Sequence, residues 1–308
     1  MNVDYLRLSG EQQAENVEPS ASIPLESLNL DPFANTRDSR FYYGSVLHQS
    51  AVDQLKDMLD DGNQGWACLS SAPGLGKTLL RTVLHRSLDT NRYLGVSIEN
   101  SLLDFDQLLL EIISQISGER AYSPDFPDRY SRLAEFKLLL TEHVVQSGRH
   151  LVLFLDEAQD FEKETLDKLR NLSNICAEKS NLMSIILIGD TPLDSTLRGL
   201  PALGQRIAVR VNLLPLDIKQ TGAYIQHRLQ IAGSQQPLPF GDNDLQSLHR
   251  VSRGVPREIN AILKHAINFA RLSSTGLSAD SLHKALALNT RSSATAGQSA
   301  EFQSLWMS

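Results

Sequence analysis

The sequence has little cysteine, few aromatic residues and no long apolar run. Its 308 residues contain two cysteines, Cys68 and Cys176, and only 6% are aromatic. Two cysteines exclude the disulfide framework of a small secreted domain and a four-cysteine zinc site. Both lie in apolar segments, so we expect two buried, reduced thiols. No apolar run approaches the about 18 residues that indicate a membrane-spanning helix.

A strong charge of one sign is also missing. Lysine and arginine number 29 and aspartate and glutamate 36, which gives a net charge of −7. Residues 1–30 hold five acidic side chains and one arginine, so they alone contribute −4. The rest of the chain lacks the basic excess of a typical nucleic-acid-binding protein. The first ten residues lack the pattern of a secretory signal, and we expect a cytoplasmic protein.

The composition otherwise predicts a globular protein with two domains. Hydrophobic residues make up 41% and charged residues 21%, which are ordinary values for such a protein. Residues 1–30 are polar and are predicted to form a disordered acidic tail. Residues 290–308 are rich in Ser, Ala and Thr and are predicted to form a flexible tail, with a short docking helix at its apolar end as an alternative.

Between these tails, apolar strands alternate with helical patterns up to residue 214. Strands are predicted at residues 66–69, 93–98, 150–155, 183–188 and 207–211. This alternation predicts a three-layer α/β/α domain over residues 31–214 with a parallel five-stranded sheet. Residues 215–289 carry only helical patterns, so we expect a small all-helical lid domain there.

A glycine-containing turn follows the first strand and precedes a helix. It matches the phosphate-loop pattern G-x-x-x-x-G-K-[ST], except that Ser71 replaces the first glycine. Small residues let backbone N–H groups surround a phosphate, and the helix N-terminus adds further donors. The side chain of Lys77 would reach the β- and γ-phosphates, and the Thr78 hydroxyl would bind Mg²⁺. We therefore predict an ATP and Mg²⁺ site formed by Ser71, Ala72, Pro73, Gly74, Leu75, Gly76, Lys77, Thr78 and Leu79.

Two adjacent carboxylates follow the third strand. Asp156 comes directly after five apolar residues, at the strand end that borders the ligand crevice of a parallel sheet. Asp156 would hold Mg²⁺ together with Thr78, and Glu157 would accept a proton from the attacking water as a general base. The pairing of this motif with a phosphate loop predicts nucleotide hydrolysis.

Three further polar residues follow predicted strands. Asp190 and Thr191, after the fourth strand, are candidates to orient the attacking water. A carboxylate beside a γ-phosphate is electrostatically unfavourable, so both residues stay open, as does the alternative that they cap the next helix. Asn100 could hydrogen-bond to Glu157 and restrain it, with a simple turn residue as the alternative.

Four arginines are candidates to contact phosphate. Arg206, with Arg198 and Arg210 as alternatives, could supply a guanidinium to the γ-phosphate of a neighbouring subunit. Arg257 lies one residue after the proline that would begin a helix, where the helix dipole disfavours a cation, and this placement suggests an external anion. For each arginine the alternative is an ordinary surface side chain.

The order of these motifs resembles the AAA+ ATPases of the ExeA/GspA-type group and the related TnsC/TniB transposition ATPases. The resemblance covers residues 31 to about 288 and rests on Asp31-Pro32-Phe33, Asp156-Glu157-Ala158-Gln159, Leu187-Ile188-Gly189-Asp190, Gln205-Arg206-Ile207 and Gly254-Val255-Pro256-Arg257. Asp190 departs from this pattern, since glutamine is usual there.

The resemblance implies a P-loop fold that binds ATP between the sheet domain and the helical lid. It also implies that His48 lies in a first helix that borders the adenine pocket, that Arg206 is an arginine finger and that Arg257 belongs to a lid helix that senses nucleotide. Sites shared between subunits imply a homo-oligomer, either a ring or a filament.

The sequence leaves three functions open. The first is an ATPase that drives or gates assembly of a secretion or pilus machine in the cell envelope, with a protein client or a membrane-bound partner. The second is an ATP-dependent adaptor that binds duplex DNA and recruits a transposase. The third is a nucleotide-dependent switch with slow hydrolysis. Residues 99–130, expected to face a ring pore, carry a net charge of −5, which repels DNA and favours the first hypothesis.

Overall fold

The computed structural model describes residues 22–61, 65–119, 125–175 and 181–289. The chain divides into two compact units, one of residues 46–214 and one that joins the segment before residue 46 to the segment from residue 215. Residues 1–21 of the predicted N-terminal tail, the predicted C-terminal tail at residues 290–308 and Cys176 lie outside the described residues.

The unit of residues 46–214 is built on five parallel strands. These are β1 (Trp66–Ser71), β2 (Tyr93–Ile98), β3 (His150–Leu155), β4 (Met183–Asp190) and β5 (Ile207–Asn212). Their order across the sheet is β2-β3-β4-β1-β5. The three central strands are buried along almost their whole length, as parallel strands covered on both faces must be. The predicted α/β fold with a five-stranded parallel sheet is confirmed.

Seven α-helices connect and cover these strands in the described part of the unit. They are α1 (Val46–Asp60), α2 (Lys77–Ser87), α3 (Phe105–Ser117), α4 (Arg129–Leu140), α5 (Lys163–Ile175), α6 (Pro192–Arg198) and α7 (Pro201–Gly204), and a π-helical turn (Thr141–Val145) extends α4. Capping boxes at Asp104 and Asp128 begin α3 and α4, because each aspartate accepts from a backbone N–H that the helix leaves unpaired. Cys68 in β1 is buried, and burial raises the pKa of its thiol to about 12.

The second unit contains four α-helices among its described residues. They are α8 (Ile218–Ile231), α9 (Asp242–Ser252), α10 (Pro256–Leu272) and α11 at residues 279–289. Asp217 begins α8 through a capping box, and Pro256 is the first residue of α10, where its missing N–H costs nothing. The core is an apolar cluster that includes Ile225, Leu263 and Leu282.

Residues 22–45 belong to this helical unit, which corrects two predictions. Residues 22–30 were expected to be disordered, yet Ile23 is fully buried and forms an antiparallel bridge with Leu277, with N···O distances of 2.9 and 2.8 Å. Residues 31–45 were expected in the α/β domain, yet Phe33 packs in the helical core. Disorder was expected because the apolar residues of this segment, Ile23, Leu25, Leu28 and Leu30, do not continue the periodic pattern of a helix or strand.

A buried arginine fixes this N-terminal segment. Arg228 of α8 donates to the carbonyl oxygens of Pro32 (Nε, 2.5 Å) and Ala34 (Nη2, 2.6 Å) and to the hydroxyl of Tyr224 (2.8 Å). Its guanidinium also lies 4.8 Å from the centroid of the Phe41 ring. Charged donors that satisfy buried carbonyls form strong hydrogen bonds, so Arg228 attaches the extended segment to the helices.

Stability should depend on pH through His150 at the start of β3. His150 is 7% exposed, its Nε2 lies 2.9 Å from Ser184 Oγ, and burial lowers its pKa to about 4. The pKa of histidine in the unfolded chain is about 6.5. The free energy of unfolding therefore has its full value above pH 6.5 and declines as the pH falls towards 4, because the unfolded chain then binds a proton that buried His150 does not. Between pH 7.5 and 5.0, the free energy of unfolding measured in urea should therefore fall by about 2 kcal/mol less for His150→Gln than for wild type.

The control for this experiment is His265→Gln, because His265 is exposed on α10. We expect this variant to follow the wild-type profile. If His150→Gln shows the same pH slope as wild type, neutral burial of His150 does not contribute to the acid sensitivity.

Candidate nucleotide-binding site

The predicted phosphate loop connects β1 to α2 as a tight turn over residues 72–76. Gly74 and Gly76 have φ angles of 85° and 93°, a left-handed conformation that is strained for residues with a Cβ atom. Gly76 is the N-cap of α2 and has no side chain to cap it. The first N–H groups of α2 consequently point into the turn without intrahelical partners, which is the arrangement that binds phosphate.

Lys77 projects from the first turn of α2 into this loop and is 7% exposed. Its ammonium group forms an ion pair with the carboxylate of Asp190, with Nζ 2.5 Å from Oδ1. Three oxygens of the loop complete its environment, namely the Ser71 carbonyl (3.2 Å), the Ser71 hydroxyl (3.3 Å) and the Ala72 carbonyl (3.3 Å). Ser71 therefore takes part in the loop through its hydroxyl, which a glycine could not do.

The two predicted metal ligands lie together. Asp156, directly after β3, is 4% exposed, and the Thr78 side chain lies beside its carboxylate. Burial raises the pKa of Asp156, while the nearby Arg81 guanidinium opposes that shift. A carboxylate next to a threonine hydroxyl provides the oxygen ligands that Mg²⁺ prefers, so the two residues fit a nucleotide-bound Mg²⁺.

Arg81 is a site residue that sequence reasoning missed. It lies one helical turn after Lys77 on α2, and its side chain is 5% exposed. Its Nη2 is 2.6 Å from Glu99 Oε1, and its Nε is 3.3 Å from Asp156 Oδ2. A buried cation between two carboxylates lowers their mutual repulsion and positions Asp156. The available signal was the i,i+4 spacing from Lys77, which places both side chains on one face of α2.

Glu157 occupies an unusual backbone conformation. Its φ is 51°, which is rare for a residue other than glycine and costs about 1–3 kcal/mol. The Gln159 side chain donates to Glu157 Oε2 (2.9 Å) and accepts from the Asp190 backbone N–H (2.9 Å). Gln159, also missed as a site residue, thus links the predicted base to the end of β4.

Three of the predicted polar residues, Asn100, Asp190 and Thr191, lie at or just after the ends of β2 and β4. Asn100 Oδ1 accepts from the Leu102 backbone N–H at 3.1 Å, as in a turn. The amide that donates to Glu157 is that of Gln159, and a role of Asn100 towards Glu157 stays a prediction. Thr191 is the N-cap residue of α6 but makes no side-chain capping bond. Asp190 is the last residue of β4, and its side chain pairs with Lys77 instead of capping α6.

His48 lies on α1 beside the phosphate loop. It is 6% exposed, and its Nε2 is 3.1 Å from the Leu75 carbonyl oxygen. Burial lowers the pKa of His48, so the neutral imidazole donates to this carbonyl. His48 therefore supports the loop from the α1 side; its expected position at an adenine pocket stays a prediction.

Arg206 lies at the end of β1 that is opposite the phosphate loop. The Arg206 carbonyl accepts from the N–H of Trp66, the first residue of β1, whereas the loop follows the last, Ser71. At about 3.3 Å per residue, these ends of β1 are about 17 Å apart. The Arg206 guanidinium is exposed and contacts Asn174 and Ser173. Arg198 and Arg210 line a nearby depression of about 450 Å³.

Arg257 lies in the other unit. It is the second residue of α10 and is exposed. Its expected role towards bound nucleotide stays a prediction.

Comparison with known proteins finds a matching domain and a curated relative. Residues 60–197 match the AAA domain. Over 248 residues, or 78% of this chain, the sequence is 34% identical to general secretion pathway protein A of Aeromonas hydrophila, and the match covers 43% of that protein. The chain thus spans less than half the length of this relative.

Solved structures share the fold. The ORC2 protein of Aeropyrum pernix in its ADPNP-ADP complexes has a TM-score of 0.64 at 16% identity, over 82% of this chain and 71% of that one. Drosophila ORC bound to DNA has a TM-score of 0.56 at 17% identity, over 91% of this chain and 70% of that one. At such identities the likeness shows the fold alone. The AAA domain match and the similarity to general secretion pathway protein A confirm the predicted resemblance to AAA+ ATPases of the ExeA/GspA type.

Proposed function

Since the chain carries an AAA domain and is similar over most of its length to a general secretion pathway protein A, we propose that it binds ATP with Mg²⁺ and hydrolyses it to ADP and phosphate. The observation that carries this proposal is the buried Lys77 in a strand–loop–helix turn beside the Thr78–Asp156 pair. These are the parts that phosphoryl transfer requires, because its catalysis consists largely of positioning and charge stabilisation.

Each side chain has a definite task in this proposal. Lys77 and the N–H groups at the start of α2 hold the phosphates. Thr78 and Asp156 hold Mg²⁺, which when bound neutralises phosphate charge. Glu157 accepts a proton from the attacking water, and Gln159 positions Glu157 through its hydrogen bond. Purified protein with ATP and Mg²⁺ should release phosphate with saturation kinetics; absence of release at every protein concentration would contradict the proposal.

We propose that this ATPase drives or gates assembly of a secretion machine. The support is the printed name of the relative from Aeromonas hydrophila, which assigns that protein to the general secretion pathway. In the described residues, no helix is both long and apolar enough to cross a membrane. We place the site in the cytoplasm, where ATP is available, with a protein client or membrane-bound partner.

Hydrolysis is proposed to occur at subunit interfaces, with Arg206 acting on the neighbour's nucleotide. Its distance from its own loop supports this assignment, since a guanidinium at the far end of β1 cannot reach that site. Arg206→Ala and Glu157→Gln should each lose hydrolysis alone. Mixed one to one, they should regain roughly one quarter of wild-type phosphate release, because one interface in four would combine an intact Glu157 with an intact Arg206.

Arg198→Ala and Arg210→Ala provide matched controls, since both arginines line a depression that includes Gln205, the neighbour of Arg206 in sequence. If one of them gives complementation and Arg206→Ala does not, that arginine acts in trans instead. A mixture that stays as inactive as its components would contradict a shared site.

A further inference from the structure

The ammonium group of Lys77 has no donor left for an additional anion. Four oxygens lie within 3.3 Å of it, and an ammonium carries three hydrogens. A phosphate can therefore engage Lys77 only by replacing one of these acceptors. Asp190 supplies the one formal negative charge among them, so it is both the strongest competitor for Lys77 and a source of repulsion for a phosphate.

The backbone of Asp190 is fixed beside the loop. Asp190 ends β4, and in the parallel register it lies opposite Ser71, the last residue of β1. Its N–H donates to the Gln159 side chain at 2.9 Å. The carboxylate can rotate away from Lys77 about its side-chain bonds, but these backbone contacts keep the charge in the neighbourhood of the loop.

We propose that Asp190 determines which nucleotide the site prefers, by penalising the terminal phosphate of ATP relative to ADP. This inference rests on the proposed nucleotide-binding function. ATP carries one more phosphoryl group and more negative charge than ADP. Its terminal phosphate therefore depends more on hydrogen bonds and charge from the Lys77 ammonium, and Asp190 repels ATP more strongly than ADP. A neutral amide at this position would leave Lys77 free of a competing carboxylate.

The proposal has a consequence for assembly. An isolated subunit should hold ADP at least as well as ATP, because Lys77, the cation of its own loop, is shared between the Asp190 carboxylate and the phosphates. A cation contributed by a neighbouring subunit, the role proposed for Arg206, would offset it and shift the preference to ATP. Asp190 would thereby make the preference for ATP depend on assembly of the oligomer.

The test measures equilibrium affinities by calorimetry for Mg²⁺ complexes of ADP and of the non-hydrolysable adenosine 5′-(β,γ-imido)triphosphate. For Asp190→Asn, we expect the affinity ratio of triphosphate to diphosphate to rise about tenfold or more. The matched control is Asp194→Asn, which removes a partly buried acid from α6 that accepts from Ser70 Oγ at 3.2 Å. Its ratio should stay within about twofold of wild type.

The outcomes separate this inference from the proposed function. If Asp190→Asn changes the affinities of both nucleotides equally, or of neither, Asp190 does not discriminate and the inference fails although the protein binds nucleotide. If wild type, Asp190→Asn and Asp194→Asn all bind neither nucleotide, the proposed function itself fails. Thermal unfolding verifies that Asp190→Asn is folded, and Asp190→Gln repeats the measurement if it is not.

Discussion

Replacing Lys77 by methionine should weaken ATP binding by about 100-fold or more and abolish measurable hydrolysis. Methionine keeps the length of the side chain but removes the cation that phosphates require, and a lost charge-assisted contact is worth about 3 kcal/mol. The loss also exposes the phosphates to the unpaired carboxylate of Asp190, which pairs with Lys77 at 2.5 Å in wild type. Direct titration of ATP, in the presence of Mg²⁺, measures the effect.

The matched control for this prediction is Lys137→Met, which removes an exposed lysine of α4. It should bind ATP as wild type does. Because Lys77 is buried, circular dichroism and thermal unfolding must show that Lys77→Met is folded. A folded variant that binds ATP within about threefold of wild type would contradict the role of the loop.

The strands and most helices could be predicted because their residues carry the signal themselves. The β3 strand is apolar at nearly every position, and burial on both faces requires that. Glycine, lysine and threonine at fixed spacing predicted the loop, since its backbone geometry and ligands demand those residues. Such features depend on local sequence, whereas the strand order β2-β3-β4-β1-β5 depends on pairing between distant segments.

The contacts that complete the site could not be predicted, because they join distant segments. Gln159 holds Glu157 and also reaches Asp190, which is 31 residues away in sequence. Arg81 meets Glu99 and Asp156 only after three elements have packed. Asn100 is a predicted partner for Glu157 because it follows a neighbouring strand, but the amide that donates to Glu157 belongs to Gln159. Residue type and spacing indicate which groups approach the site, and packing decides which of them touch.

Replacing Glu157 by glutamine should separate binding from hydrolysis. The amide has nearly the same shape as the carboxylate, and its oxygen can still accept the bond that Gln159 donates at 2.9 Å. It cannot take a proton from water, so phosphate release should fall by about 100- to 10,000-fold. ATP affinity should remain within about threefold of wild type, because Glu157 is exposed and Lys77 holds the phosphates.

Asp160→Asn is the control that isolates this chemistry. Asp160 accepts from the same Gln159 amide nitrogen, at 3.3 Å, and is also exposed. If Glu157 acts as the base, Asp160→Asn keeps nearly full hydrolysis, since only the hydrogen bonding of Gln159 changes. If both variants lose hydrolysis equally, the acidic charge around Gln159 matters and Glu157 is not a specific base. If Glu157→Gln loses ATP binding as well, its role is structural, and the strained backbone at this position serves the fold of the site.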